Sequence, residues 1–500
     1  MSAEPHPLAD IVVVGRDADL WLAALALGRG LGRSGPRVTV VELPSSAPKG
    51  AVVACLPQLT ALHDKLGIAE GPLIRATGGS YTHGQAFVGR GLEWQSFFHS
   101  WAPFQWPSNA LPFFPCWLKA QAAKLTARLE EYCLPAVAAR YGRVVLATED
   151  ARGPSHAGLH VEADRYAAYL KAAAGALAIP IVEARSVEVE RGSGGITAVI
   201  VDGERARIEG QLFVDATGAE AALIGRLAAP GWLDGGPVSS VDRVLTGRAP
   251  RFNRLPPLAE VRIAPSGWTA LHPTQTLTAV THVFASATTS DEQAQRIAAS
   301  NADVALQDVE IRSFRSGIRR EPWHQNCVAV GAAASVLDPL HDVAAFVLQL
   351  GIVHLLALLP DTPGAEAERA EYNRIMSSSL ARIRDFQQAF YRLAPAAGAF
   401  WEAGRERTLQ PELEYKLAAF HARGLFAPME DESFSAESWQ AVLTGLGVRP
   451  SSLPPVIVGA ALEPLAAELA QQHRAVRDAA RRMPAHEDYL RRGAPARTTP

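Results

Sequence analysis

The sequence predicts an α/β fold: a dinucleotide-type (Rossmann-like) domain, interrupted by an antiparallel β-rich insertion and followed by a helical C-terminal region. Three observations carry this. The run Ile11-Val-Val-Val-Gly15 is continuously β-branched, as in a strand buried on both faces of a parallel sheet. Two similar runs, 210–218 and 326–331, lie far downstream and each closes on a glycine, so one sheet is built from separated segments. From residue 365 onward the pattern is helical, with apolar residues at three- and four-residue spacing between Tyr372 and Leu393.

The elements follow in order. Trp21 to Leu31 supplies a helix after the first strand, Gly32 to Pro36 breaks it, and Arg37-Val-Thr-Val-Val-Glu42 forms a second buried strand. This is a βαβ unit. Its acid, Glu42, lies 27 residues after Gly15, where a nucleotide-binding unit places a carboxylate for the ribose hydroxyls. Ile179 to Arg207 reads as hairpins around Gly192 to Gly195 and Asp202-Gly203, and Glu260 to Ala285 as antiparallel strands. The expected division is residues 1–365, with an interleaved β-rich substrate domain at approximately 75–120 and 180–310, then helices over 366–490 and a frayed tail at 491–500.

Composition narrows the function. Lys and Arg (48) nearly balance Asp and Glu (51), which leaves no basic excess for nucleic acid or an anionic membrane. The first ten residues carry prolines and acids instead of a basic then apolar segment, so a cytoplasmic location is expected. The longest apolar run, Ala344 to Leu359, is short for a membrane span and contains Gln349 and His354, which suits a buried helix. Cys55, Cys116, Cys133 and Cys327 show no paired spacing and read as reduced core residues.

The nucleotide motif is damaged. A dinucleotide fold uses three glycines after its first strand: to turn, to admit the pyrophosphate, and to seat the helix. In Gly15-Arg-Asp-Ala-Asp-Leu20 only Gly15 remains, and Asp17 and Leu20 hold the other two positions. A carboxylate beside a diphosphate repels it, and Arg16 offsets only part of that charge. Binding of a dinucleotide cofactor is therefore expected to be weak or lost.

Ordered landmarks across residues 10–491 resemble the flavin-dependent tryptophan halogenase family. They include Val38 to Glu42, Leu159-His-Val-Glu-Ala-Asp164, Leu212-Phe-Val-Asp-Ala-Thr-Gly218, Gly267-Trp268, Phe314-Arg-Ser-Gly317, Asn326 to Gly331 running into Leu337-Asp-Pro-Leu340, and Glu432 to Trp439. The resemblance implies an FAD-monooxygenase-like fold with an inserted β domain, and cofactor contacts at Gly15, Glu42, Gly50, Gly218, Gly331 and Asp338. It also implies an aromatic or indole-like small-molecule substrate and a flavin reductase as partner. In that family a lysine and a glutamate direct hypohalous acid onto the substrate. Their positions fall on Thr82 and His341, and the acid of the flavin-side segment is absent from Gly50-Ala-Val-Val53.

Further departures fall nearby. The family's Gly-Trp-x-Trp-x-Ile-Pro becomes Gly267-Trp-Thr-Ala-Leu-His-Pro273, which leaves Trp268 and introduces His272 into the expected substrate pocket, with Asp342 where the halide stretch lies. His83, His272, His341 and Asp342 have the residue types of a transition-metal site, but single histidines are more often satisfied polar groups, so no metal is assigned. Strand alternation points His83 away from Thr82. His341 is the leading candidate for catalysis, with Thr82 and His83 beside it, because it replaces the acid and still moves protons near neutral pH. The aromatic stretch Trp94 to Trp117 reads either as a substrate platform or as an apolar lid. Three functions stay open: an FAD-dependent oxidoreductase without ordinary halogenation, a flavin-free binding or partner subunit, and a metal-dependent oxygenase on the same scaffold.

Overall fold

The computed structural model describes residues 7–89, 96–106, 111–145, 157–203, 205–227, 231–234, 241–364 and 366–492. The chain forms two compact units: residues 1–78, 161–236 and 314–381 in the first, and 79–160, 237–313 and 382–500 in the second.

The first unit opens with β1 (Asp10–Gly15), α1 (Asp17–Leu31) and β2 (Arg37–Glu42). They belong to a six-stranded sheet in the order Trp323–His324, Cys327–Ala329, Leu212–Ala216, β1, β2, Ile181–Glu183. All pairings are parallel except that of the short edge strand Trp323–His324. Ile11 to Val14 are wholly buried, as their unbroken apolar character requires in a central strand. Gly15 is demanded by the sheet itself, because a Cβ there would lie 2.4 Å from the Ala216 carbonyl oxygen. α1 packs against the helices Ala163–Gly175 and Ala344–Ala357.

The strands Val187–Gly192, Gly195–Val201 and Ala206–Glu209 form an antiparallel sheet in this same unit. Their place differs from the expected grouping of 180–310 with the inserted β domain. The reason lies in one face: Val199 and Val201 pack with Val12, Val14 and Phe213 and so cover the parallel sheet. Leu340–Ala357 is long and apolar enough to cross a membrane by length and composition, but 56% of it is buried inside the protein, as in a core helix.

The second unit is built on a seven-stranded sheet in the order Gln307–Ser313, Arg243–Pro250, Leu277–Phe284, Gly267–Pro273, Ala259–Ala264, Gly84–Gly89, Phe97–Ser100. Only Ala259–Ala264 and Gly84–Gly89 pair in parallel. A capping box of Ser290 and Gln293 starts the helix Asp291–Ala302. The C-terminal helices complete this unit: Phe390 meets Phe87 at 4.9 Å between ring centroids, and Trp401 Nε1 donates to the Ala264 carbonyl at 2.8 Å. Compactness therefore divides the chain near residue 382, whereas the helical pattern begins at 366. Arg491 and Arg492, expected in the tail, close the helix His486–Arg492, and residues 493–500 lie outside the described residues. All four cysteines are buried and free.

Candidate functional site

The head of α1 is where a dinucleotide fold receives its diphosphate. Asp17 stands there with φ +54°, a left-handed backbone that favours glycine. Its Oδ2 accepts a hydrogen bond from Ser46 N at 3.0 Å, which ties the turn to the loop after β2. Asp19 lies one step deeper. Burial first, then the Asp17 charge, pushes its pKa up to about 7, against a backbone hydrogen bond from Ala332 that favours the ionised form. A Cβ on Gly331 would meet Asp19 Oδ2 at 2.4 Å, so that glycine, also left-handed, makes room for the protein's own acid.

The charges expected to compensate are engaged elsewhere. Arg16 Nη2 bonds Glu220 Oε2 at 2.7 Å instead of facing Asp17. Glu42, expected to receive a ribose, accepts from Lys171 Nζ at 2.5 Å, and this hydrogen bond holds the Lys171 pKa above its usual value. Leu20, at the third glycine position, is fully buried. Gly218 has φ +81° and open space beside it, so that position keeps the room a ligand needs. Gly50 is also left-handed, at φ +71°. Asp338 is buried, and its Oδ1 accepts from Leu340 N at 2.9 Å, a turn contact. An acid thus stands in the turn, and the expected ribose acid is paired with Lys171.

His341 and Asp342 lie in the same unit, and both adopt left-handed backbones, with φ +68° and +57°. Two consecutive non-glycine residues in that region cost about 1–2 kcal/mol each. His341 is buried, and Asp342 N donates to the Pro339 carbonyl at 3.1 Å.

In the second unit the strand Ser80–Thr82 carries the position matched to the family's lysine. Thr82 is fully buried, and its hydroxyl donates to the Gly84 carbonyl at 3.2 Å. His83 Nε2 accepts from Val145 N at 2.9 Å, while burial and the neighbouring His486 push its pKa down to about 3. The ring is therefore a neutral acceptor at ordinary pH. Trp268 is buried with its indole N–H on the Tyr391 hydroxyl at 2.8 Å. The imidazole that meets His272 is His160, edge to face with 5.2 Å between ring centroids. Ser80 Oγ donates to the Pro273 carbonyl at 2.6 Å, and His160 Nδ1 lies 3.3 Å from the same oxygen. The antiparallel register Ser80↔His160 brings these groups together, a pairing that sequence spacing does not reveal. Of the four residues weighed as a metal site and not assigned one, His83 and His272 belong to the second unit, and His341 and Asp342 to the first.

Trp94 lies outside the described residues. Phe104, Trp106 and Tyr132 surround Phe113 at 5.2–5.6 Å, and Phe114 stacks on Trp117 at 5.9 Å. Arg319 donates to the Ala333 carbonyl at 2.7 Å and faces the Trp232 ring.

A parallel sheet with a helix head at the carboxyl end of β1 defines the Rossmann-type, dinucleotide-binding class of fold. Comparison with known proteins narrows it. The family model for tryptophan halogenase matches residues 10–461. Tryptophan 7-halogenase RebH of Lentzea aerocolonigenes is 24% identical over 485 residues, with 89% of this chain and 91% of that protein covered. Among solved structures, Xcc4156, a flavin-dependent halogenase from Xanthomonas campestris, superposes with a TM-score of 0.92 at 28% identity, covering 99% of this chain and 100% of its own. BrvH, a flavin-dependent halogenase from Brevundimonas sp. BAL3, gives 0.90 at 28% identity, covering 97% and 99%. The chain belongs to the tryptophan halogenase family, whose members are flavin-dependent.

Proposed function

We propose that this protein is a divergent oxidoreductase of the halogenase family that acts on an aromatic small molecule, holds FAD weakly, and does not perform lysine- and glutamate-directed halogenation of tryptophan. Flavin is here a diffusing reactant supplied in reduced form by a flavin reductase. The observation that carries the reading is the Asp17 carboxylate fixed by Ser46 N in the turn that would hold the diphosphate. Thr82 supports it, since its hydroxyl has no ammonium charge to polarise an oxidant. A second reading, a flavin-free binding subunit, draws on the Glu42–Lys171 pair that occupies the ribose acid.

The test is an FAD titration followed by flavin fluorescence, with a parallel incubation of tryptophan, reduced flavin, oxygen and bromide read by mass spectrometry. Weak binding, with a Kd in the micromolar range or above, is expected, and Asp17→Gly should tighten it about 10-fold or more, the order of one removed charge repulsion. Brominated tryptophan above the level made by free hypohalite would falsify the reading. Stoichiometric FAD in the purified wild type would refute the weak-flavin part, and no binding even by Asp17→Gly would favour the flavin-free subunit.

A further inference from the structure

In the second unit a cavity of about 680 Å³ lies among the strand Phe97–Ser100, the helix Phe113–Ala122 with the loop after it, and the end of the helix Ala436–Gly445. Neither Thr82 nor His341 lines it, so it is separate from the positions matched to the family's catalytic pair. Its size falls within the roughly 300–1,000 Å³ of small-molecule pockets.

One wall is aromatic, formed by Phe97, Phe98 and Trp117. The Trp117 indole N–H is already used by the Ala127 carbonyl at 2.9 Å, so this ring offers only its apolar surface. The polar lining is cationic: Lys124, Arg128 and Arg449 against the single acid Glu130. Glu130 is bound by both Arg128 and Arg140, each at 2.7 Å, which cancels its charge. Lys124 and Arg449 have no acidic partner among the described residues. Arg449 instead donates from Nη1 to the carbonyls of Thr444 and Val448 at 3.0 and 3.1 Å, and partial burial holds its pKa below the usual arginine range.

We propose that this cavity is a binding site for an aromatic carboxylate, with its rings against Phe97, Phe98 and Trp117 and its carboxylate on Lys124 and Arg449. The site is independent of whether flavin binds. Flat rings match the aromatic wall, and a carboxylate matches two cations that lack acidic partners. A neutral aromatic would leave both cations uncompensated, and an amine would add to their repulsion.

The experiment is calorimetric titration of the full chain with indole-3-propionate, its amide, and tryptamine. The acid is expected to bind in the micromolar range, the amide at least 10-fold more weakly, and the amine not measurably. Lys124→Ala/Arg449→Ala should weaken the acid at least 10-fold, and because both residues are exposed the fold should persist, as circular dichroism will verify. Ala397→Trp, at an exposed lining position, should abolish binding by filling the cavity, whereas Asp17→Gly in the first unit should leave it unchanged. Absence of binding at millimolar acid, equal binding of all three compounds, or undiminished binding by the Ala397→Trp variant would each overturn the proposal.

Discussion

His341 shows how one residue can be read through its backbone. Its imidazole stands where the sequence resemblance places the family's acid, and its φ of +68° is a conformation glycine adopts without cost. Two substitutions separate these properties. His341→Gly and His341→Ala both remove the imidazole, but glycine should leave the protein about 1 kcal/mol more stable than alanine, because alanine keeps the left-handed strain. Any turnover should fall about 100-fold or more in both variants if the imidazole moves a proton. Thermal unfolding beside turnover measures the two effects, and unchanged turnover would make His341 a structural residue. His83→Ala should act in the opposite way, costing about 1–3 kcal/mol of stability through the Val145 N–H it strands, with little effect on chemistry.

Among the elements, α1 displays a compensation. In a tight dinucleotide fold, glycine at the position of Leu20 lets the helix settle on the sheet; here the leucine is fully buried and has become part of the core. Leu20→Gly would therefore not restore a cofactor site. It should cost about 3–5 kcal/mol from the cavity and about 1 kcal/mol more from glycine within a helix. A melting temperature close to that of the wild type would show that the helix end bears little load. β1, β2 and the strand Leu212–Ala216 were legible because burial on both faces selects unbroken β-branched runs, and periodicity reports such burial directly. The partners of the cradle were not legible. Glu42 finds Lys171 129 residues away, and Arg16 finds Glu220 204 residues away. No local pattern encodes which side chain will stand across a fold. For the same reason His160 was overlooked, since only strand pairing sets it beside the position of Ser80 and against His272.

For the molecule as a whole, neutral histidines dominate the response to acid. Burial pushes the pKa values of His63, His99, His282 and His486 down to about 4, and that of His83 to about 3. Their unfolded values lie near 6.5. Below that pH the unfolded chain binds protons that the native chain refuses, so stability falls as pH drops from about 6.5 toward 4. Asp19 and Asp385 work in the opposite sense: burial raises their native pKa values to about 7 and about 6, above their unfolded values, so they make stability fall as pH rises from about 4 to 7. Five groups outweigh two, and urea unfolding at pH 7, 6, 5 and 4.5 should show a steep loss on the acid side with net proton uptake on unfolding. The Asp19→Asn variant should keep that acid limb and lose part of the opposing slope. A stability curve flat between pH 6.5 and 4.5 would contradict the neutral-histidine assignment.

The pairs Arg16–Glu220 and Glu42–Lys171 give the nucleotide cradle its own built-in counter-ions, and both are partly open to solvent. Mobile ions screen exposed pairs of this kind within a Debye length of about 10 Å at 0.1 M. Most proteins lose affinity for a diphosphate as salt rises, because their free cations are screened. Here added salt should loosen the internal pairs, soften the repulsion from Asp17, and release Arg16 and Glu42 for an incoming ligand. FAD affinity should thus hold steady or increase between 20 and 500 mM sodium chloride. A steep decline would mean that Arg16 already leaves Glu220 for the phosphate.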